Sequence, residues 1–119
     1  MKPDKKLQFV EILRIEMEDL KKDIELLISE AEKAKVVERI SNYVFMENLS
    51  VFRDEIVAVD SLEAFLEASC INGCMDVDDL RDKLRDQMHD KIKALRMPTQ
   101  MVEWVDRKID KAYQYLMRA

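Results

Sequence analysis

Apolar residues recur at Phe9, Leu13, Leu20, Ile24, Leu27 and Ala31, at spacings of 4, 7, 4, 3 and 4. These positions share one face of a helix, which Val10, Met17 and Ile28 widen. Pro3 suits the first turn of such a helix. Ile12, Ile15 and Leu26 fall well off this face. A helix with apolar residues on a second side needs a second neighbour, from the same chain or from another subunit.

No proline or glycine ends that helix before residue 58. A single helix from 4 to 58 would be roughly 80 Å long, too long for a chain of this size. A break is therefore expected at one of two polar points, "ISN" (40–42) or "ENLS" (47–50). The pattern predicts a second helix near 34–58, with Asn48–Ser50 as a candidate kink. Ile40, Val44, Val51, Phe52, Ile56 and Val59 would form its buried side.

In "VDSLEAF" Asp60 can cap a new helix, with Glu63 three residues on and Val59 and Ala64 at staple positions. That helix would end at Asn72–Gly73, the residues best able to take a positive φ. Asp76 would cap the next helix, with Asp78 and Asp79 in its first turn. Its stripe is Val77, Leu80, Leu84, Met88, Ile92 and Leu95, and Pro98 ends it near Arg96. In the last helix Val102, Val105, Ile109, Ala112 and Leu116 repeat at 3, 4, 3 and 4, a seam suited to an antiparallel bundle. The expectation is an all-α fold, an antiparallel bundle of four to five helices with no β-sheet, forming one domain over residues 1–119.

Composition agrees. The chain has 119 residues, one glycine and two prolines, too few for the frequent turns of a β-rich fold. Charged residues make up 38%, and no apolar run is long enough to span a bilayer. The would-be apolar core of a signal peptide is interrupted by Glu11, Arg14, Glu16 and Glu18. A cytoplasmic setting with thiol cysteines is the default. The net charge is −5, and residues 60–79 hold six acids and no lysine or arginine. Such a surface repels phosphate backbones, so nucleic acid is not an expected partner.

The stretch "FLEASCINGCMDVDDL" (65–80) contains both cysteines, Cys70 and Cys74. With His89 they offer three ligands for a small metal-binding bundle. A structural zinc site needs four, and neither a second cysteine pair nor a Cys-x-x-Cys is present. A helix–turn–helix corner accounts for the stretch without a cofactor. It does not suit DNA, because its second helix begins with Asp76, Asp78 and Asp79.

Arg85 and His89 lie one helical turn apart. An arginine followed by a histidine can cleave RNA, the histidine as acid or base and the arginine stabilising phosphorane-like charge. The pair resembles the motif of the HEPN class of helical ribonucleases, which implies an all-α nuclease with Arg85 and His89 as catalytic residues. That class usually places four to six residues between the two. Here there are three, with Asp86 and Asp90 alongside. The first helix is similar to the opening helix of AroQ-type chorismate mutases, with Arg14 matching a substrate-binding arginine. Ala31 stands where a second is expected, which removes a bidentate partner for a dicarboxylate.

The last helix carries the feature that points most directly to a partner. Trp104, Lys108, Lys111 and Tyr115 recur at 4, 3 and 4, on a flank roughly 100° from the Val105/Ile109/Leu116 seam. Aromatic and basic residues on a second face are frequent at interfaces. The flank could also pair with the acidic 60–79 stretch within a homodimer. The leading expectation is a small non-enzymatic helical protein without a cofactor, acting as a self-associating interaction or adaptor module.

Overall fold

A computed structural model describes residues 4–68 and 73–118. They form four helices, and no strand occurs among them: α1 (Lys5–Val36), α2 (Asn42–Ala68), α3 (Val77–Ala94) and α4 (Thr99–Arg118). Consecutive helices run antiparallel. Ion pairs of Arg14 with Glu67 and Lys21 with Asp60, each at 2.9 Å, fix the α1–α2 register. Tyr113 donates to Asp78 at 2.6 Å and His89 meets Asp106 at 2.6 Å, fixing that of α3 and α4.

The first break falls at "ISN", one of the two expected points. No glycine is needed because two local devices act together. The Arg39 N–H bonds the Ala34 carbonyl at 2.8 Å and the Glu38 N–H bonds that of Lys35 at 3.0 Å. This is a Schellman closure, with Glu38 in the left-handed region at φ 61°. Ser41 then caps α2 by accepting the Val44 N–H at 3.1 Å. The same closure ends α3: Met97 bonds Ile92, Arg96 bonds Lys93, and Arg96 takes φ 56°.

Two expectations need correction. Helix α2 runs unbroken through Asp60, so the described helices number four and Asp60 caps nothing. Its carboxylate, with that of Glu63 at 3.4 Å, is taken by Lys21 of α1. Gly73 does not use a positive φ; the other half of the expected turn, Asn72, lies outside the described residues. At the start of α3, Asp76 accepts the Asp79 N–H at 2.8 Å, as its cap role requires.

The main core holds Phe9, Leu13, Met17, Leu20 and Ile24 from α1 and Ala58, Val59, Leu62 and Leu66 from α2. The stripes of α3 and α4 complete it, with Met88, Ile92, Val105 and Ile109 fully buried. Each such side chain contributes about 1.5–3 kcal/mol. The buried part of this core stops at Ile24 on α1 and Ala58 on α2, with Ile56 and Phe52 packed against its edge, although both helices continue. At 1.5 Å per residue α3 and α4 are about 30 Å long or less. The molecule is 57 Å along its longest axis. The remainder, residues 25–57, is a two-helix arm joined at the 37–41 turn. Phe45 is its one buried large apolar side chain, lying outside the main core with the Lys35 ammonium 4.8 Å from its ring centroid.

Candidate functional site

Arg85 and His89 both reach α4. His89 Nε2 is 2.6 Å from Asp106 Oδ1; Arg85 Nε is 4.0 Å from the same oxygen, and its guanidinium also bonds Asp110. Each side chain is thus matched by a carboxylate from the facing helix. A phosphate arriving here would meet Asp106 and Asp110 before it met a free guanidinium. The chemistry of this set is that of a clasp between α3 and α4.

Cys70 lies outside the described residues. Cys74 is buried in the main core and borders a small pocket with Phe65, Leu80, Lys83, Leu84 and Gln87. Its carbonyl accepts Lys6 Nζ at 3.0 Å. His89 leaves α3 on the opposite flank from Lys83 and Gln87 and turns to Asp106. Among the described residues no group of three or more His, Cys, Asp or Glu side chains could hold a metal. Arg14 pairs with Glu67 and borders a hollow shared with Glu11, Glu18 and Glu63, an acidic setting for a dicarboxylate.

The aromatic and basic flank of α4 divides in two. Trp104, Lys108 and Lys111 face α1 across a groove of about 460 Å³, with Leu20, Ile24, Leu26 and Leu27 opposite. Lys108 lies 3.4 Å from Glu16 and 3.8 Å from Asp23, and Lys111 lies 3.4 Å from Glu16. Tyr115 stands beyond the groove, 66% exposed. The acids of 60–79 do not meet this flank; they pair with Lys21, Arg14, Lys83, Arg81 and Tyr113.

The arm presents a second surface. Along α2, Val44, Asn48, Val51, Glu55, Ala58 and Leu62 follow one another at 4, 3, 4, 3 and 4, a single seam. From Ala58 onward the seam enters the main core. Towards the tip Val51 is 47% and Val44 38% exposed. On α1 the seam of Leu20 and Ile24 likewise continues as Leu27, Ala31 and Ala34, only partly covered. The face that α2 was expected to bury therefore exists, but at Val44 and Val51 it is only partly covered. Phe52 and Ile56, also expected on that face, are partly buried and pack against the edge of the main core, while Phe45 is buried apart from it. Tyr43, Met46 and Val57 are also exposed, so this half of α2 is apolar nearly all round, the mark of a helix with more than one neighbour.

Glu55 lies in the seam at the base of the arm. It is 4% exposed, and its Oε2 has no hydrogen-bond partner among the described residues. Burial holds its carboxyl above the usual carboxylate range. Glu63, one ring of contacts further into the body, is pushed up mainly by burial and then by its hydrogen bond to Glu18. Glu18 is lowered in turn, chiefly by its hydrogen bond to Lys21.

No helix among the described residues is long and apolar enough to cross a membrane. No protein-family profile matches the chain, and no curated protein or solved structure is significantly similar to it.

Proposed function

We propose that the chain is a non-enzymatic, self-associating interaction module whose α1–α2 arm pairs with the arm of a second copy. The observation that carries this reading is the 4–3 seam of α2, which leaves the core at Glu55 and continues through the exposed Val51 and Val44 and the half-buried Asn48 between them. Exposed seams of this kind are covered by another helix in helical bundles. The body covers its own seam with the α3–α4 layer; the arm lacks that layer.

A second arm laid antiparallel supplies it. Its two helices would continue the α3–α4 layer end to end, with the partner's tip against the α3–α4 corner, where Leu95 is exposed. A parallel arrangement would set the two α3–α4 layers on top of one another. The reading includes a cytoplasmic, reducing setting for the Cys74 thiol.

Light scattering on the eluting protein tests this. The expected mass is twice the 14.1 kDa of the chain. Val44→Asp/Val51→Asp should elute as a monomer with unchanged helical circular dichroism, because both side chains are already partly exposed. Trp104→Ala/Tyr115→Ala should remain a dimer. A monomeric wild type sinks the reading. A dimer that dissolves only in the α4 variant moves the interface to that flank.

A further inference from the structure

We infer that the groove between α1 and α4 is a binding site for a small organic anion with an apolar body, a carboxylate or sulfonate carrying an alkyl or aryl group. This site borders the base of the arm and shares Leu27 with its α1 seam, but it contains none of the α2 seam residues Val44, Asn48 and Val51. Its volume, about 460 Å³, lies within the range of small-molecule sites. Its walls are of two kinds. Leu26 and Leu27 of α1 and the indole of Trp104 form its apolar walls, above a floor set by the buried Leu20 and Ile24. Arg107, Lys108 and Lys111 of α4 line the other side.

The charge balance selects the ligand. Three cations face two carboxylates, Glu16 and Asp23, so the set is positive. Glu16 is buried and serves both ammonium groups at 3.4 Å, too far to satisfy its Oε2 with a hydrogen bond. Arg107 is exposed and has no ion pair among the described residues. Arg107 and Lys111 are one turn apart, so their head groups can converge on a single acid group. A guanidinium gives that group a bidentate contact and an ammonium adds a third. The apolar body then lies against Leu26, itself 58% exposed, and the face of Trp104. Of the other two hollows, that at Glu11, Arg14, Ile15, Glu18 and Glu63 has the opposite charge and one apolar wall residue, and the smaller one beside Cys74 has a single cation, Lys83, already paired with Asp79.

Trp104 is the only tryptophan of the chain, so its fluorescence reports this groove alone. The full-length protein is titrated with octanoate and with naphthoate, and in parallel with octanol and naphthalene methanol. At least one acid should give a saturable change, and its neutral alcohol should bind about tenfold more weakly. Arg107→Ala/Lys111→Ala should weaken the acid by about tenfold while the circular dichroism stays unchanged. Val44→Asp/Val51→Asp should bind as the wild type does, which separates this site from self-association. Absence of saturation by both acids up to about 2 mM overturns the inference. So does equal binding of acid and alcohol, or an unchanged constant in the Arg107/Lys111 variant.

Discussion

The body and the arm are built from the same two helices and differ in what lies against them. In the body, α1 and α2 have α3 and α4 over their seams, and the seam residues Ala58, Leu62, Leu20 and Ile24 are closed off from water. In the arm the same repeat runs on through Val44 and Val51, which stay exposed because no α3–α4 layer reaches them. Burial is thus set by the length of the covering helices. The two regions should therefore answer differently to the same kind of substitution, in folding stability and in association.

The largest difference is expected for truncation of the seams. Leu62→Ala or Met88→Ala in the body should cost about 3 kcal/mol in denaturant unfolding, since both side chains are fully buried. Val51→Ala in the arm should cost less than about 0.5 kcal/mol in a dilute monomer. It should nonetheless weaken the dimer in a concentration series. Equal unfolding costs at the two ends of the seam would break the distinction between body and arm.

Next in size is the clasp that fastens α4 to α1. Lys108→Ala would leave Glu16 buried with only Lys111 to balance it. A loss of about 2 kcal/mol in thermal unfolding is expected, less than for a fully enclosed pair because Lys111 remains. Lys111→Ala, whose side chain is mostly exposed, should cost far less.

Glu55 marks the junction of the two regions and gives the pH dependence. Its folded-state pKa lies above the unfolded value, so the native state holds the proton more tightly. Stability from this group is greatest below about pH 4, near the unfolded pKa, and falls as pH rises through the folded pKa. Glu55→Gln should raise stability at pH 7 by about 1 kcal/mol, with the gain vanishing near pH 4. Melting curves at the two pH values decide it. A variant less stable than wild type at pH 7 would mean that the ionised carboxylate has a partner.

The smallest effect is expected at the tip. Glu38 holds a left-handed φ that glycine adopts freely. Glu38→Gly should stabilise by about 0.5 kcal/mol, and Arg96→Gly, at the matching turn of the body, by a similar amount. Destabilisation at Glu38 alone would show that its side chain is held in place at the tip.

Much of the body was legible in the sequence. The stripes of α3 and α4 lie where their spacing puts them, because each helix has one apolar face and one polar face; the exception is Leu95, exposed because the helix ends at Ala94. The misreading at Asp60 has a physical origin. The local chemistry of "VDSLEAF" fits a helix start, but Lys21, on another helix, binds both carboxylates and leaves α2 continuous. The face of α2 was hard to assign for a different reason. With apolar residues nearly all round, spacing cannot say which of them finds a neighbour, and Phe45 is covered where Val44 and Val51 are not.

The groove was half visible. Trp104, Lys108 and Lys111 stand out by spacing on one helix, and Leu26 by falling off the α1 stripe. Their meeting depends on the register between helices far apart in sequence, and Arg107 is unremarkable until that register is known. Glu16 and Glu55 gave no signal beyond being acids within apolar surroundings.

Whether a second copy covers the arm is tested most directly by disulfide formation at a chosen seam position. Asn48 lies midway along the uncovered seam, where an antiparallel two-fold would bring it near its own copy. Asn48→Cys should form a covalent dimer under mild oxidation much faster than the wild-type cysteines do, and faster than Ser50→Cys on the opposite side of α2. No covalent dimer at Asn48→Cys, or one that forms no faster than at Ser50→Cys, would contradict the pairing of the arms.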